Sequence, residues 1–276
     1  MPLSAPASIC GPLRLTAACL LLAATVGMGT AHAGRNCEAK PMTLDSLTRG
    51  LNLAQRTAQA LEERYQKDGS KVMLLARAGQ DLTSYNLQYS HLGWAYRTAE
   101  GPWRVAHKLN TCGTPDGWVF RQGLGQFFLD DLWKPVAAVQ VPTPAVQQAL
   151  WTYLTDSQSV LRMQHQPYSM VSYAWGQKYQ QSNQWAIESL AAAMEPATVR
   201  QRTQAQAWLQ FKGYEPSALT IRSWTRLGGR LSAANIAFDD HPNDQRFTSR
   251  IQTVTVDSVT QWLQRAQLAG AVQQIR

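Results

Sequence analysis

The sequence predicts an α+β fold, a small antiparallel sheet packed against helices, with additional helices toward the C-terminus. A helical stripe comes first: Leu44, Leu47, Leu51, Ala54, Ala58, Leu61 and Tyr65 recur at threes and fours, and Asp68-Gly69 stops the run. Three strand-like runs then succeed one another, at 71–77, 90–97 and 103–109. The last two alternate apolar with polar residues and are joined by Thr98-Ala99-Glu100-Gly101-Pro102, turn chemistry suited to an antiparallel hairpin. Helical signals return after Pro142.

Before the first helix lies a leader. Arg14, an apolar run over 15–26 and the tripeptide Ala31-His32-Ala33 match the n-region, h-region and cleavage site of a signal peptide. Residues 1–33 are therefore expected to be removed, leaving 34–276 as one exported domain, periplasmic or secreted. The apolar run is too short to span a bilayer comfortably, and no other stretch is long enough, so the expected product is not membrane-spanning. Cys19 sits inside the apolar run and is poorly placed as a lipid-anchored first residue.

Charge narrows the partners. The chain carries 26 Lys and Arg against 18 Asp and Glu, a net charge of +8. No block of five basic residues concentrates that charge, which favours a solvated basic surface facing anionic envelope polymers over a nucleic-acid patch. The partner this charge suggests is an anionic envelope polymer, and no nucleic acid. No spacing of ligand residues supports a metal, and the glycines over 111–126 lack the strand-turn-helix setting of a phosphate loop, so no cofactor is expected.

Two cysteines, Cys37 and Cys112, lie outside the leader. In an oxidising compartment such a pair is first a disulfide, worth about 4 kcal/mol in the chain-entropy model for a loop of this length. The rival is a Cys112 nucleophile five residues past His107.

The hairpin carries the chemistry. Folded about Ala99, it sets His91 opposite His107, and residues directly opposite share a face. Gly93 beside them leaves room for a ligand. Farther on, a short helical turn is expected at 127–132, a strand at 135–141 and a helix through Leu154 with Thr143 as N-cap and Pro144 first in the helix. Tyr168 to Trp175 supplies aromatics, for core or for the wall of an apolar groove. Ser182 then stands where an N-cap should. Its hydroxyl either satisfies a first-turn N–H or, as a nucleophile, uses the positive end of the helix. Helices are expected at 199–211 and 219–227, a strand at 251–256 and a final helix to Leu268 capped by Asp257 or Ser258. Asp239-Asp240-His241 before Pro242 could orient a base or bind a metal, but is first loop and turn chemistry.

With those motifs stated, Lys71 to Glu195 resembles the circularly permuted papain-like hydrolases of the lecithin retinol acyltransferase and NlpC-like group. Ser90-His91-Leu92-Gly93-Trp94-Ala95-Tyr96 resembles its first histidine strand, Arg104-Val105-Ala106-His107 its second, and Gln181-Ser182-Asn183-Gln184-Trp185-Ala186 its nucleophile helix. The mature chain also resembles a secreted bacterial family of unknown function. The first resemblance implies a hydrolase or acyltransferase acting on an amide or ester of an envelope polymer or lipid. His91 would be general base, His107 would orient it, and Ser182 would attack in the place of the usual cysteine. A serine is a much weaker nucleophile than a thiol unless a base takes its proton, so the alternative is a catalytically inactive periplasmic binding protein using the same cleft.

Overall fold

The structure, a computed structural model, describes residues 41–130, 132–221 and 234–276. The expected leader and Cys37 lie outside them, and with Cys37 the expected bridge to Cys112. Helix α1 (Leu44–Asp68) is capped by the Thr43 hydroxyl, which accepts from the Ser46 N–H, and ends at Gly69, whose φ of 72° is left-handed. Strands β1 (Val72–Ala78), β2 (His91–Arg97), β3 (Trp103–Asn110) and β4 (Gly117–Gly123) follow, then the short helix α2 (Leu124–Phe128) and strand β5 (Lys134–Pro142). Helix α3 (Pro144–Thr155) has Thr143 as N-cap and Pro144 in its first turn, as the sequence predicts.

Helices α4 (Ser182–Met194) and α5 (Arg202–Phe211) come next. A two-stranded sheet of β6 (Ser217–Thr220) and β7 (Arg250–Thr253) brackets the short helix α6 (Asn243–Arg246), and α7 (Val256–Arg265) leads into β8 (Ala269–Ile275). Six strands form one antiparallel sheet in the order β4-β3-β2-β1-β5-β8. The described residues belong to one compact unit.

Period-two alternation sorts the core. Met73, Leu75, Ala95 and Val105 face α1 and α2, where Leu53, Leu61, Phe127 and Phe128 meet them. Leu74, Leu92, Trp94 and Ala106 face the other way, against Trp185, Ala186 and Leu190 of α4, with α3, α5 and α7 behind. The sheet is thus covered on both sides, and α4 is buried around its whole circumference from Ser182 to Ala193.

Several expectations are corrected. The strand β4 lies within the glycine-rich stretch 111–126, whose turn residues give no strand signal, and β8 follows the last helix where none was expected. Residues 217–220 form β6 rather than the start of a helix, and 222–227 lie outside the described residues. The cap of α7 is Thr255, whose hydroxyl accepts from the Ser258 N–H, rather than Asp257 or Ser258. The cap of α4 is Gln181, whose side chain accepts from the Asn183 N–H at 3.1 Å, so Ser182 is the first helical residue and leaves capping to its neighbour. Among the described residues no helix is long and apolar enough to cross a membrane.

Candidate functional site

The hairpin turns later than its composition suggests. Thr98 N–H donates to Pro102 O at 3.1 Å and Gly101 adopts φ 112°, which centres the loop on Glu100 instead of Ala99. The β2–β3 register is therefore Trp94 with Ala106 and Tyr96 with Arg104. Continued one step, it brings Gly93 against His107, and a Cβ built on Gly93 would lie 2.8 Å from that of His107. His91 is thus a diagonal neighbour of His107 instead of its direct partner. A displacement of two residues preserves the face, so both imidazoles still project to one side.

They meet there. His91 Nε2 lies 2.8 Å from His107 Nδ1 with the rings edge to face at 74°, and Nε2–H of His107 donates to Oε1 of Gln122 at 2.9 Å. Gln122 belongs to β4, opposite Val105 and diagonal to His107. The ring of Phe127 closes over both histidines, at centroid distances of 5.9 and 5.1 Å. Arg77, opposite His91 on β1, holds Phe127 from behind: its guanidinium donates to the Phe127 carbonyl, pairs with Asp130 and lies 4.7 Å above the ring.

Burial sets the protonation of the pair. Desolvation, with the positive charge of Arg77 adding to it, pushes His107 down to about 3 and His91 well below the ordinary imidazole value. Both rings are neutral at physiological pH. His107 is fully buried while His91 retains 9% exposure, so His91 is the member of the pair that reaches solvent.

Ser182 belongs to another neighbourhood. Its hydroxyl lies 3.3 Å from the Tyr168 hydroxyl, and among the described residues no hydrogen bond joins it to either histidine. Trp94 Nε1–H donates to Ala186 O at 3.0 Å, which fixes α4 on the sheet face opposite the imidazoles. The next residue, Asn183, is the link between helix and strand: its Oδ1 accepts from the Leu92 N–H at 3.0 Å and its Nδ2 donates to Ser90 O at 3.4 Å. The structure therefore brings His91 and His107 together and leaves Ser182 outside the pair.

A buried ionic network explains the unusual polarity of α4. Glu188, with no exposed side-chain surface, accepts from Nε of Arg202 at 2.8 Å, from Nε2 of Gln206 at 2.8 Å and from Nε2 of Gln180 at 2.5 Å. Arg202 also donates to the carbonyls of Gly176, Gln177 and Tyr179, the segment leading into α4. Lys108, fully buried, donates to Gln180 Oε1 at 2.9 Å and to the His165 carbonyl, and desolvation lowers it to about 7.

The acidic cluster near the C-terminus serves its loop. Asp240 Oδ2 accepts from the Tyr173 N–H at 2.9 Å, His241 Nε2–H donates to Val171 O at 2.8 Å, and Asp239 pairs with Lys178. Among the described residues no three His, Cys, Asp or Glu side chains are grouped to hold a metal ion.

Gln122, Phe127, Arg77 and Asn183 escape sequence reasoning as site residues. Only Asn183 carried a signal, as the residue after Ser182 at a helix start; the others join the site through the sheet.

The fold and site define a class: an α+β protein with a neutral, hydrogen-bonded histidine pair set on one face of an antiparallel sheet. The particular family is that of an uncharacterized protein conserved in bacteria (DUF2145), whose model matches residues 64–263, and the chain belongs to it. No curated protein and no solved structure matches the chain.

Proposed function

We propose that this protein is an exported, papain-like binding protein of the bacterial envelope, which holds an envelope polymer or lipid at the His91–His107 face without cleaving it. One observation carries the proposal: the Ser182 hydroxyl is bonded to Tyr168 on a helix packed against the far side of the sheet, so the imidazole pair has a base and an orienting group but no bonded nucleophile. The surface beside the pair supports binding. Trp118 and Phe120 of β4 share the histidine face, opposite Leu109 and His107, and are 45% and 42% exposed. Exposed aromatics in a row beside a polar pair suit recognition of an extended ligand.

A second proposal is the hydrolase or acyltransferase, favoured by the 2.8 Å bond between the histidines, because an oriented imidazole is what a general base requires. In that case Ser182 must give up Tyr168, and the start of α4 must leave its place on the sheet face opposite the imidazoles, before it attacks. Retention on purified cell-wall sacculi and anionic vesicles, read beside turnover of envelope peptides, acyl esters and phospholipids, tests the two. Binding predicts that His91→Ala loses retention, that Ser182→Ala keeps it, and that neither wild type nor Ser182→Cys turns over any substrate. Turnover abolished by both His91→Ala and Ser182→Ala would establish the enzyme instead.

A further inference from the structure

The three polar side chains His91, His107 and Gln122 form a chain whose proton positions follow from its last member. An amide oxygen can only accept, so the Gln122 contact at 2.9 Å places a proton on His107 Nε2. A neutral His107 then has a bare Nδ1, which accepts from the Nε2–H of His91 at 2.8 Å. His91 is left with an unprotonated Nδ1. That atom has no hydrogen-bond partner among the described residues and is not one of the enclosed unpartnered polar atoms, so it is the nitrogen that reaches solvent.

We propose that Gln122 locks this order, so that His91 presents Nδ1 as a hydrogen-bond acceptor and the ligand group docked there is a neutral donor, a hydroxyl or an amide N–H, rather than a carboxylate or phosphate. A lone pair turned outward repels an anionic oxygen and completes its geometry only with a donor. The surroundings agree. Arg77, whose positive charge acts on both rings, is turned toward the Phe127 carbonyl and Asp130. The basic surface of the chain then serves to draw the protein to an anionic polymer, while the contact at the pair is made to the polymer's hydroxyl or amide groups. This ligand assignment rests on the binding proposal above; the proton order does not.

Nitrogen-15 spectra of the mature protein separate the two. Long-range proton–nitrogen correlations are expected to show both rings as the Nε2–H form, with His91 Nδ1 unprotonated from pH 5.5 to 8. An Nδ1–H form of His91, or a protonated ring in that range, overturns the lock. Gln122→Glu should preserve the pattern because a carboxylate also accepts, and Gln122→Leu should yield a mixture of tautomers. If the leucine variant fails to fold, the wild-type and glutamate spectra still decide. Titration with an N-acetylglucosamine oligomer should shift His91 Nδ1, while acetate and inorganic phosphate should leave it unmoved. A shift with either anion, or none with the sugar, overturns the ligand class. Absence of wild-type retention on sacculi with the proton order intact would instead defeat the binding proposal and the ligand assignment that rests on it, and leave the proton order standing.

Discussion

Trp94 and Ala186 are joined by an indole N–H to carbonyl bond of 3.0 Å, on the side of β2 away from His91. That bond, with the apolar contacts of Trp185 and Leu190 around it, fixes the start of α4 and hence the place of Ser182. Ser182→Ala should therefore act only through the lost contact with Tyr168. We expect a destabilisation of about 1 kcal/mol, the usual net worth of one hydrogen bond, in chemical denaturation.

Removing Arg202 should be far more damaging. Its charge and that of Glu188 are both buried, with 8% and 0% of their side chains exposed, so Arg202→Met leaves an uncompensated carboxylate. Loss of about 3–5 kcal/mol is expected. Glu188→Gln should cost less, because Arg202 keeps the carbonyls of Gly176, Gln177 and Tyr179. Urea unfolding of the two variants side by side measures the difference.

Gly93→Ala tests the close approach of β2 and β3. The added methyl would sit 2.8 Å from Ala106 O, from the His107 Cβ and from the Val105 Cγ1, none of which is the end of a flexible chain. Overpacking of this kind costs about 1–3 kcal/mol. Loss of the His91–His107 contact should accompany it, seen as a change in the imidazole nitrogen shifts.

Acid should destabilise the protein before its carboxylates titrate. Each buried imidazole binds a proton less readily in the fold than in the unfolded chain, where the value is the ordinary 6.5. Their contribution is complete above 6.5. As pH falls from there, the unfolded state takes up protons first and stability declines by about 1.4 kcal/mol per pH unit for each ring, a decline that for His107 continues down to about 3. His165 is also lowered by burial and adds in the same direction. Unfolding free energy measured between pH 5 and 7 should rise with pH, and His107→Asn should flatten the slope. A slope unchanged by that substitution would refute the assignment.

The bridge between Cys37 and Cys112 expected from the sequence predicts no free thiol in protein recovered from an oxidising compartment, under denaturing, non-reducing conditions. Two free thiols by reagent counting would refute it.

What was legible in the sequence was what local chemistry decides. The stripe of α1 and its stop at Gly69, the Thr143-Pro144 start of α3 and the pairing of the histidine strands all rest on residues near one another in the chain. Even the misplaced hairpin centre left the histidines on one face, since an error of two residues does not change parity. Long-range neighbours decided the rest. Gly117 and Gly123 read as turn residues, yet they bound β4: a Cβ at Gly117 would come within 2.6 Å of Lys108 Cε and 2.8 Å of the Tyr168 ring. Gln122 enters the site only because β4 pairs with β3, and a lone glutamine announces nothing. Likewise β8 is mostly exposed, so it lacks the alternation that marks a half-buried strand.

The placement of β8 beside β5 also bears on how the chain reaches its native state. Strand β5 pairs with β1 on one side through contacts already available from the N-terminal half, but its other side waits for Ala269–Ile275. While synthesis runs through α3, α4, α5 and α7, the backbone of the Val136–Val139 stretch is an open template for a second molecule. A chain stopped short of Ala269 keeps that edge uncovered, so its hazard is self-association more than loss of the histidine pair, whose members stand two and three strands away from it.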